Sequence, residues 1–166
     1  MKPLFLSAVL CCSLLFSCST ADEDVNLYSS AETETISDVV SYSKIETDIL
    51  NLVNDYRLKN NLATLQTLNI ISTVADEHTS YMIETGDISH AHFADRASKL
   101  MKNAGAKEVS ENVAYGFSTA ESALKGWLNS DEHRKIIENP NFTHFGISSE
   151  SNDEGRNYFT QIFIKK

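Results

Sequence analysis

The three cysteines of this 166-residue chain all lie within its first 18 residues. The sequence that follows Cys18 therefore has no thiol for a disulfide, a cysteine zinc site or a cysteine nucleophile. A domain built from it must be stable through apolar packing, for which 42% hydrophobic residues is an ordinary share. The length of the chain predicts one such domain.

The N-terminus has the pattern of an export signal. Residues 1–3 are short and basic, and the apolar stretch 4–16 is too short to span a bilayer. The stretch ends in Leu15-Phe16-Ser17-Cys18, which resembles the lipobox of bacterial lipoproteins. We predict a signal peptide over 1–17, lipidation at Cys18 and a membrane partner for the acyl chains. An ordinary signal peptide and an uncleaved anchor are the alternatives.

An acidic segment follows Cys18. Residues 18–42 carry aspartate and glutamate but no lysine or arginine, which predicts a solvated tether. Asp22-Glu23-Asp24 resembles the surface-export signals of some Bacteroidota lipoproteins, and a generic acidic linker is the alternative. The predicted location is the cell envelope, at the outer membrane or the cell surface. The formal net charge of −9 argues against nucleic acid as a partner.

Apolar residues recur at helical spacing from Ser43 onward. Capping boxes at Ser43 and Ser118 predict two helix starts, Ser130 can cap a last short helix, and Gly86 and Gly105 predict two helix ends. The predicted strands cover 108–115, 142–148 and 157–164. Since helices come first and antiparallel strands come late, the fold class is α+β or a layered sandwich.

Several short segments resemble those of bacterial CAP (SCP) domains and occur in the same order. They are Ala75-Asp76-Glu77-His78-Thr79, Ile88-Ser89-His90, Glu111-Asn112-Val113-Ala114, Trp127-Leu128-Asn129-Ser130, His133-Arg134-Lys135-Ile136-Ile137, Phe145-Gly146-Ile147 and Tyr158-Phe159-Thr160-Gln161-Ile162-Phe163. The resemblance spans 43–166. It implies a three-layer α-β-α sandwich with a central antiparallel sheet and a large open cleft.

The resemblance also implies which residues line that cleft. In many CAP domains the cleft holds two histidines and two acidic residues. His90, Glu111 and His133 match three of these positions. Ser130 stands where the second glutamate would be, as in many bacterial members, unless one of the two acidic residues after it supplies the missing carboxylate.

Glu111 is the candidate catalytic residue. A strand over 108–115 places its carboxylate among apolar side chains, where a charge is costly unless it is paired. Arg96 or Arg134 could pair with it structurally, and a histidine or a metal could do so functionally. His133 lies in the first turn of its predicted helix, where the dipole favours the neutral imidazole that a metal ligand needs.

A metal is compatible with this set but not required by it. His90 and His133 could hold Zn²⁺ or another divalent metal with one position left for water. The sequence has no H-E-x-x-H motif, and the three residues are far apart along the chain.

Other side chains have simpler interpretations. His78 lies on an apolar helical stripe and is predicted to be a core histidine. His92 either lines the cleft or is solvated, and His144 is given no role. Gln161 is predicted to be a hydrogen-bonding residue of the core or the cleft floor, and Trp127 to anchor its helix in the core.

Three functions follow from these residues. The first is a non-catalytic module whose cleft binds an extracellular lipid, peptide or protein. The alternative is a metal-dependent hydrolase of protein or cell-wall peptides, in which Glu111 is a metal ligand or general base. The third is a purely structural envelope protein. The same three residues serve the first two functions, so the sequence does not choose between them.

Overall fold

The structure, a computed structural model, describes residues 40–166. The predicted signal peptide, Cys18 and the tether before residue 40 lie outside the described residues. Within residues 40–166 the helices and strands, in chain order, are α1 (Lys44–Lys59), β1 (Gln66–Thr67), α2 (Asn69–Thr85), α3 (Phe93–Ala104), β2 (Glu108–Tyr115), α4 (Ala120–Asn129), α5 (Asp131–Ile137), β3 (His144–Ser151) and β4 (Asn157–Lys165).

Most helix ends lie where the capping residues predict them. The Ser43 hydroxyl accepts a hydrogen bond from the Glu46 main-chain N–H, and the Glu46 carboxylate accepts one from the Ser43 N–H at 2.7 Å. This confirms the capping box that begins α1. Gly86 and Gly105 follow α2 and α3 with φ of 69° and 70°. Glycine adopts this left-handed backbone without steric cost, which confirms both predicted ends.

Two predicted caps are wrong in detail. The box that begins α4 is one residue later than predicted, because Thr119 and Ser122 form it and Ser118 and Glu121 do not. A serine at the third helical position replaces the glutamate that the usual pattern requires. Ser130 precedes α5, but its side chain makes no capping hydrogen bond.

The strands form one sheet in the order β1-β3-β4-β2. The three longer strands are antiparallel, as predicted, whereas the two-residue β1 pairs in parallel with β3 and makes the sheet mixed. A strand of two residues shows no alternation and was not predicted. β3 begins two residues later than predicted and extends to Ser151.

Helices cover both faces of the sheet, and each face has its own hydrophobic cluster. On one face, α1, α4 and α5 pack against Phe145, Phe159 and Phe163. On the other, α2 and α3 pack against Ile162 and Ile164. This arrangement confirms the α-β-α sandwich. Among residues 40–166, no helix combines the length and apolar composition needed to cross a membrane.

β2 lies at the edge of this sheet, next to β4. Because successive side chains of a strand point to opposite faces, Glu111 faces the layer of α2 and α3, and Asn112 faces the layer of α5. Because β2 is an edge strand, no further strand separates the two helical layers on its outer side. Residues from both layers can therefore lie close together beside β2.

Candidate functional site

The site is centred on the carboxylate of Glu111, whose side chain is 1% exposed. Arg96 donates from Nε to Oε2 and from Nη2 to Oε1, both at 2.8 Å. His90 Nδ1 lies 2.8 Å from Oε1. The sequence predicted that Arg96, Arg134, a histidine or a metal would pair with the Glu111 carboxylate. In the structure, Arg96 and His90 both do so. Arg134 instead contacts Asp131 and the Leu128 carbonyl.

These contacts determine the charge of Glu111. Burial raises its pKa, but the hydrogen bonds from His90 and Arg96 and the charge of Arg96 more than offset this, so the pKa lies below its ordinary value. Glu111 is therefore ionised at neutral pH. An ionised carboxylate only accepts hydrogen bonds, so His90 Nδ1 carries the proton and donates. Nε2 of His90 is left to contact a ligand, on a side chain that is 50% exposed.

His78 also belongs to the site, although its position on an apolar helical stripe predicted only that it would lie in the core. It is 2% exposed, which confirms the predicted core histidine. Its Nε2 donates to the Ser89 carbonyl at 2.8 Å and lies 3.8 Å from Glu111 Oε1. Burial lowers the pKa of His78, so the ring is neutral at pH 7. His78 thereby holds the loop that carries His90 against α2.

His133 approaches the site from the opposite layer. It lies in the first turn of α5 and is half-buried, and Asn112 Nδ2 donates to its main-chain carbonyl at 3.3 Å. Burial, with a smaller contribution from nearby His90, lowers the pKa of His133. The ring is therefore neutral, as predicted, although burial is the largest cause. Within the described residues its ring nitrogens have no hydrogen-bond partner.

Ser130 lies at the junction of α4 and α5, and its N–H donates to the Trp127 carbonyl. Neither acidic neighbour stands in for a second buried carboxylate. Asp131 pairs with Arg134 and is 76% exposed, and Glu132 is also exposed. The described site therefore has one buried carboxylate, that of Glu111.

A pocket of about 240 Å³ lies beside β2 and is lined by His90, Phe93, Ser110, Glu111 and Ile136. Phe93 comes from α3 and Ile136 from α5, so the pocket lies between the two helical layers. His92 is not part of it. His92 lies just before α3 with a left-handed backbone (φ 59°). It lines a separate pocket of about 270 Å³ between α2 and α3.

The arrangement does not fit a divalent metal. Among residues 40–166, no group of three or more His, Cys, Asp or Glu side chains is placed to hold one. Both oxygens of Glu111 are bonded to the Arg96 guanidinium, which would repel a cation at that position. Zn²⁺ binding by His90 and His133 stays a prediction.

The remaining candidates are accounted for locally. Trp127 is 1% exposed, packs edge-on against Phe159 and donates from Nε1 to the Val113 carbonyl at 3.0 Å. It is a core anchor, as predicted. His144 contacts the Thr143 hydroxyl away from the site. Gln161 is fully buried, as predicted, but its amide has no protein partner among the described residues.

Two relatives from Bacillus subtilis (strain 168) are similar in sequence. The membrane protein YlbC is 34% identical over 124 residues, which cover 73% of this chain and 34% of the relative. The protein YkwD is 35% identical over 129 residues, which cover 76% of this chain and 49% of the relative. The chain thus spans half or less of the length of these relatives.

Solved structures share the fold. An extracellular protein containing an SCP domain from Bacillus anthracis str. Ames has 31% identity and a TM-score of 0.65, over 73% of this chain and 40% of that one. An outer surface protein from Borrelia burgdorferi has 21% identity and a TM-score of 0.69, over 76% and 96%. The family model described as the cysteine-rich secretory protein family, CAP, matches residues 50–163. The chain therefore belongs to the CAP family.

Proposed function

We propose that this chain is an exported, lipid-anchored CAP protein whose cleft binds an extracellular ligand without catalysing its conversion. His90 and Glu111 supply the polar part of the pocket, and His133 lies near His90. Ser130, just before α5, is included because it matches the remaining cleft position of the family pattern. Phe93 and Ile136 supply apolar walls for the pocket. A few polar groups among apolar walls are typical of a binding site.

The observation that carries this proposal is the pairing of Glu111. Both of its oxygens are bonded at 2.8 Å, two bonds coming from Arg96 and one from His90. A general base must accept a proton, and a metal ligand needs a free lone pair aimed at the metal. Glu111 is instead suited to orient His90. Three of the roughly four acceptor positions of the carboxylate are occupied and its pKa is lowered, which makes Glu111 a weak base and favours the binding module over the hydrolase.

Export and the anchor are supported from two directions. The N-terminal pattern predicts acylation of Cys18. The similar proteins include an extracellular protein and a membrane protein, which supports export. We place the protein at the cell envelope, with the domain facing outward at the outer membrane or cell surface.

Ligand capture tests the cleft. The full-length chain is incubated with panels of purified lipids, of muropeptides and of synthetic peptides, and bound species are identified by native mass spectrometry. Substituting His90→Ala or His133→Ala should remove the ligand, whereas His144→Ala, which changes a histidine outside the cleft, should retain it. A ligand that all three variants bind equally would overturn the proposal.

Metabolic labelling with palmitate tests the anchor. Cys18→Ala should abolish labelling and release the protein from membranes, whereas Cys12→Ala should do neither because Cys12 lies in the segment that is removed. Membrane retention of Cys18→Ala would contradict lipidation at this cysteine.

A further inference from the structure

The edge strand β2 presents main-chain groups that β4 does not use. The Gly116 N–H donates to the Asn157 carbonyl and fixes the alternation of the β2–β4 ladder. In an antiparallel pair, every second residue exchanges hydrogen bonds with the neighbouring strand. The register therefore directs the N–H and C=O groups of Ser110 and Asn112 toward β4. Those of Val109, Glu111 and Val113 point away from the sheet.

The open part of this edge is short. The Val113 carbonyl is taken by Trp127 Nε1 at 3.0 Å, so α4 closes that end. Within the described residues, the outward main-chain groups of Val109 and Glu111 have no hydrogen-bond partner. These are two N–H and two C=O groups on residues two apart, a spacing that an adjoining extended chain can match.

This open edge lies in the cleft. Ser110 and Glu111 line the pocket together with Phe93, Ile136 and His90. The side chain of Glu111 is 1% exposed but the whole residue is 5% exposed, so most of its accessible surface belongs to the main chain. A ligand in the pocket would therefore meet the backbone of β2 before it met the carboxylate.

We propose that the ligand of this cleft is an extended peptide segment of a partner protein that adds to β2 as a further strand, an inference that rests on the proposed function. Free main-chain donors and acceptors at an edge are the usual template for strand addition. The Glu111 charge is already neutralised by Arg96, so a ligand here needs no counter-charge. The chain of a lipid offers no donors and acceptors at this repeat.

N-methylation of the ligand tests the mode of binding. A phage-displayed library of random dodecapeptides is selected on the full-length chain, and the best binder is synthesised with single N-methyl groups at each position in turn. Strand addition predicts that N-methylation weakens binding about tenfold at alternate residues facing β2 and little at the residues between. An even effect along the peptide, or a failure to select any peptide, would overturn the inference.

A proline on the protein side provides the matched test. Val109→Pro removes an outward N–H that β4 does not use, a position at which an edge strand tolerates proline. Val109→Ala removes the same side chain but keeps the N–H. The proline variant should bind the selected peptide about tenfold more weakly than the alanine variant, with circular dichroism unchanged in both. Equal affinities would contradict strand addition.

The failure of this inference can be distinguished from failure of the proposed function. If His90→Ala abolishes binding of a lipid or a folded protein while Val109→Pro does not, the cleft binds a ligand but not a strand. If sedimentation shows a dimer that Val109→Pro dissociates, the edge is occupied by a second copy and the inference is wrong. If neither His90→Ala nor His133→Ala affects any ligand, the proposed function itself fails.

Discussion

The Arg96 guanidinium and the Glu111 carboxylate form a two-pronged ion pair between α3 and β2, with side chains that are 8% and 1% exposed. Such a pair is costly to break, because the remaining charge is left buried without a partner. Arg96 also donates from Nη1 to the Ala91 carbonyl at 2.6 Å, in the segment that follows His90. Arg96 therefore both stabilises the domain and helps to hold His90 in position.

Arg96→Ala should therefore destabilise the domain strongly. We expect a loss of about 3–5 kcal/mol in the free energy of unfolding, measured by urea denaturation. Arg156→Ala is the matched control, because Arg156 is exposed and its side chain forms no hydrogen bond or ion pair among the described residues. It should change the free energy of unfolding by less than about 0.5 kcal/mol. Similar values for the two variants would show that the ion pair contributes little.

Stability should fall as the pH is lowered below the ordinary histidine pKa of 6.5, in part because of His78. Burial lowers the pKa of His78 in the folded state, so the unfolded chain takes up a proton first. The contribution of the neutral ring is thus full above pH 6.5 and decreases as the pH falls toward the folded-state pKa. Glu111, whose folded-state pKa is also lowered, adds a loss of the same sign below its ordinary value of 4.5.

Urea denaturation between pH 5 and 8 measures this effect. His78→Gln should reduce the slope of unfolding free energy against pH, whereas Ser149→Ala, which leaves every titratable side chain in place, should not. Part of the slope should persist in His78→Gln, because burial also lowers the pKa values of His133 and His144. An unchanged slope in His78→Gln would contradict the assignment.

Local chemistry made the helix boundaries and the central carboxylate predictable. Ser43, Gly86 and Gly105 act through backbone geometry within one turn, so their neighbours in the sequence suffice to identify them. A charge at position 111 among apolar strand residues required a partner, and the sequence named Arg96 as one candidate.

The convergence of side chains around Glu111 was not predictable in the same way. His78 lies beside Glu111 because α2 and α3 pack on the same face of the sheet, and neither the spacing nor the chemistry of His78 reveals that contact. The two-residue β1 was missed because a parallel pair so short leaves no periodic pattern. The shifted cap at Thr119 was missed because serine replaced the expected acidic residue.

Gly146 should not tolerate a side chain. A Cβ at this position would lie 2.6 Å from both the main-chain nitrogen and the hydroxyl oxygen of Ser72, where α2 crosses β3. We expect Gly146→Ala to lower the free energy of unfolding by about 1–3 kcal/mol, because the helix must move away from the strand. Ser149→Ala on the same strand leaves its main-chain bond to Glu46 intact and should cost much less.

Zinc titration tests the metal prediction for His90 and His133. Two imidazoles without a free carboxylate provide too few ligands for a tight site, and Arg96 repels a cation beside Glu111. We therefore expect calorimetry on the metal-free full-length chain to show only weak Zn²⁺ binding, and a chelator to leave the unfolding temperature unchanged. A tight one-to-one site that the His90→Ala/His133→Ala variant loses would contradict this expectation. Such a result would mean that Glu111 leaves Arg96 to bind metal, and it would favour the hydrolase over the binding module.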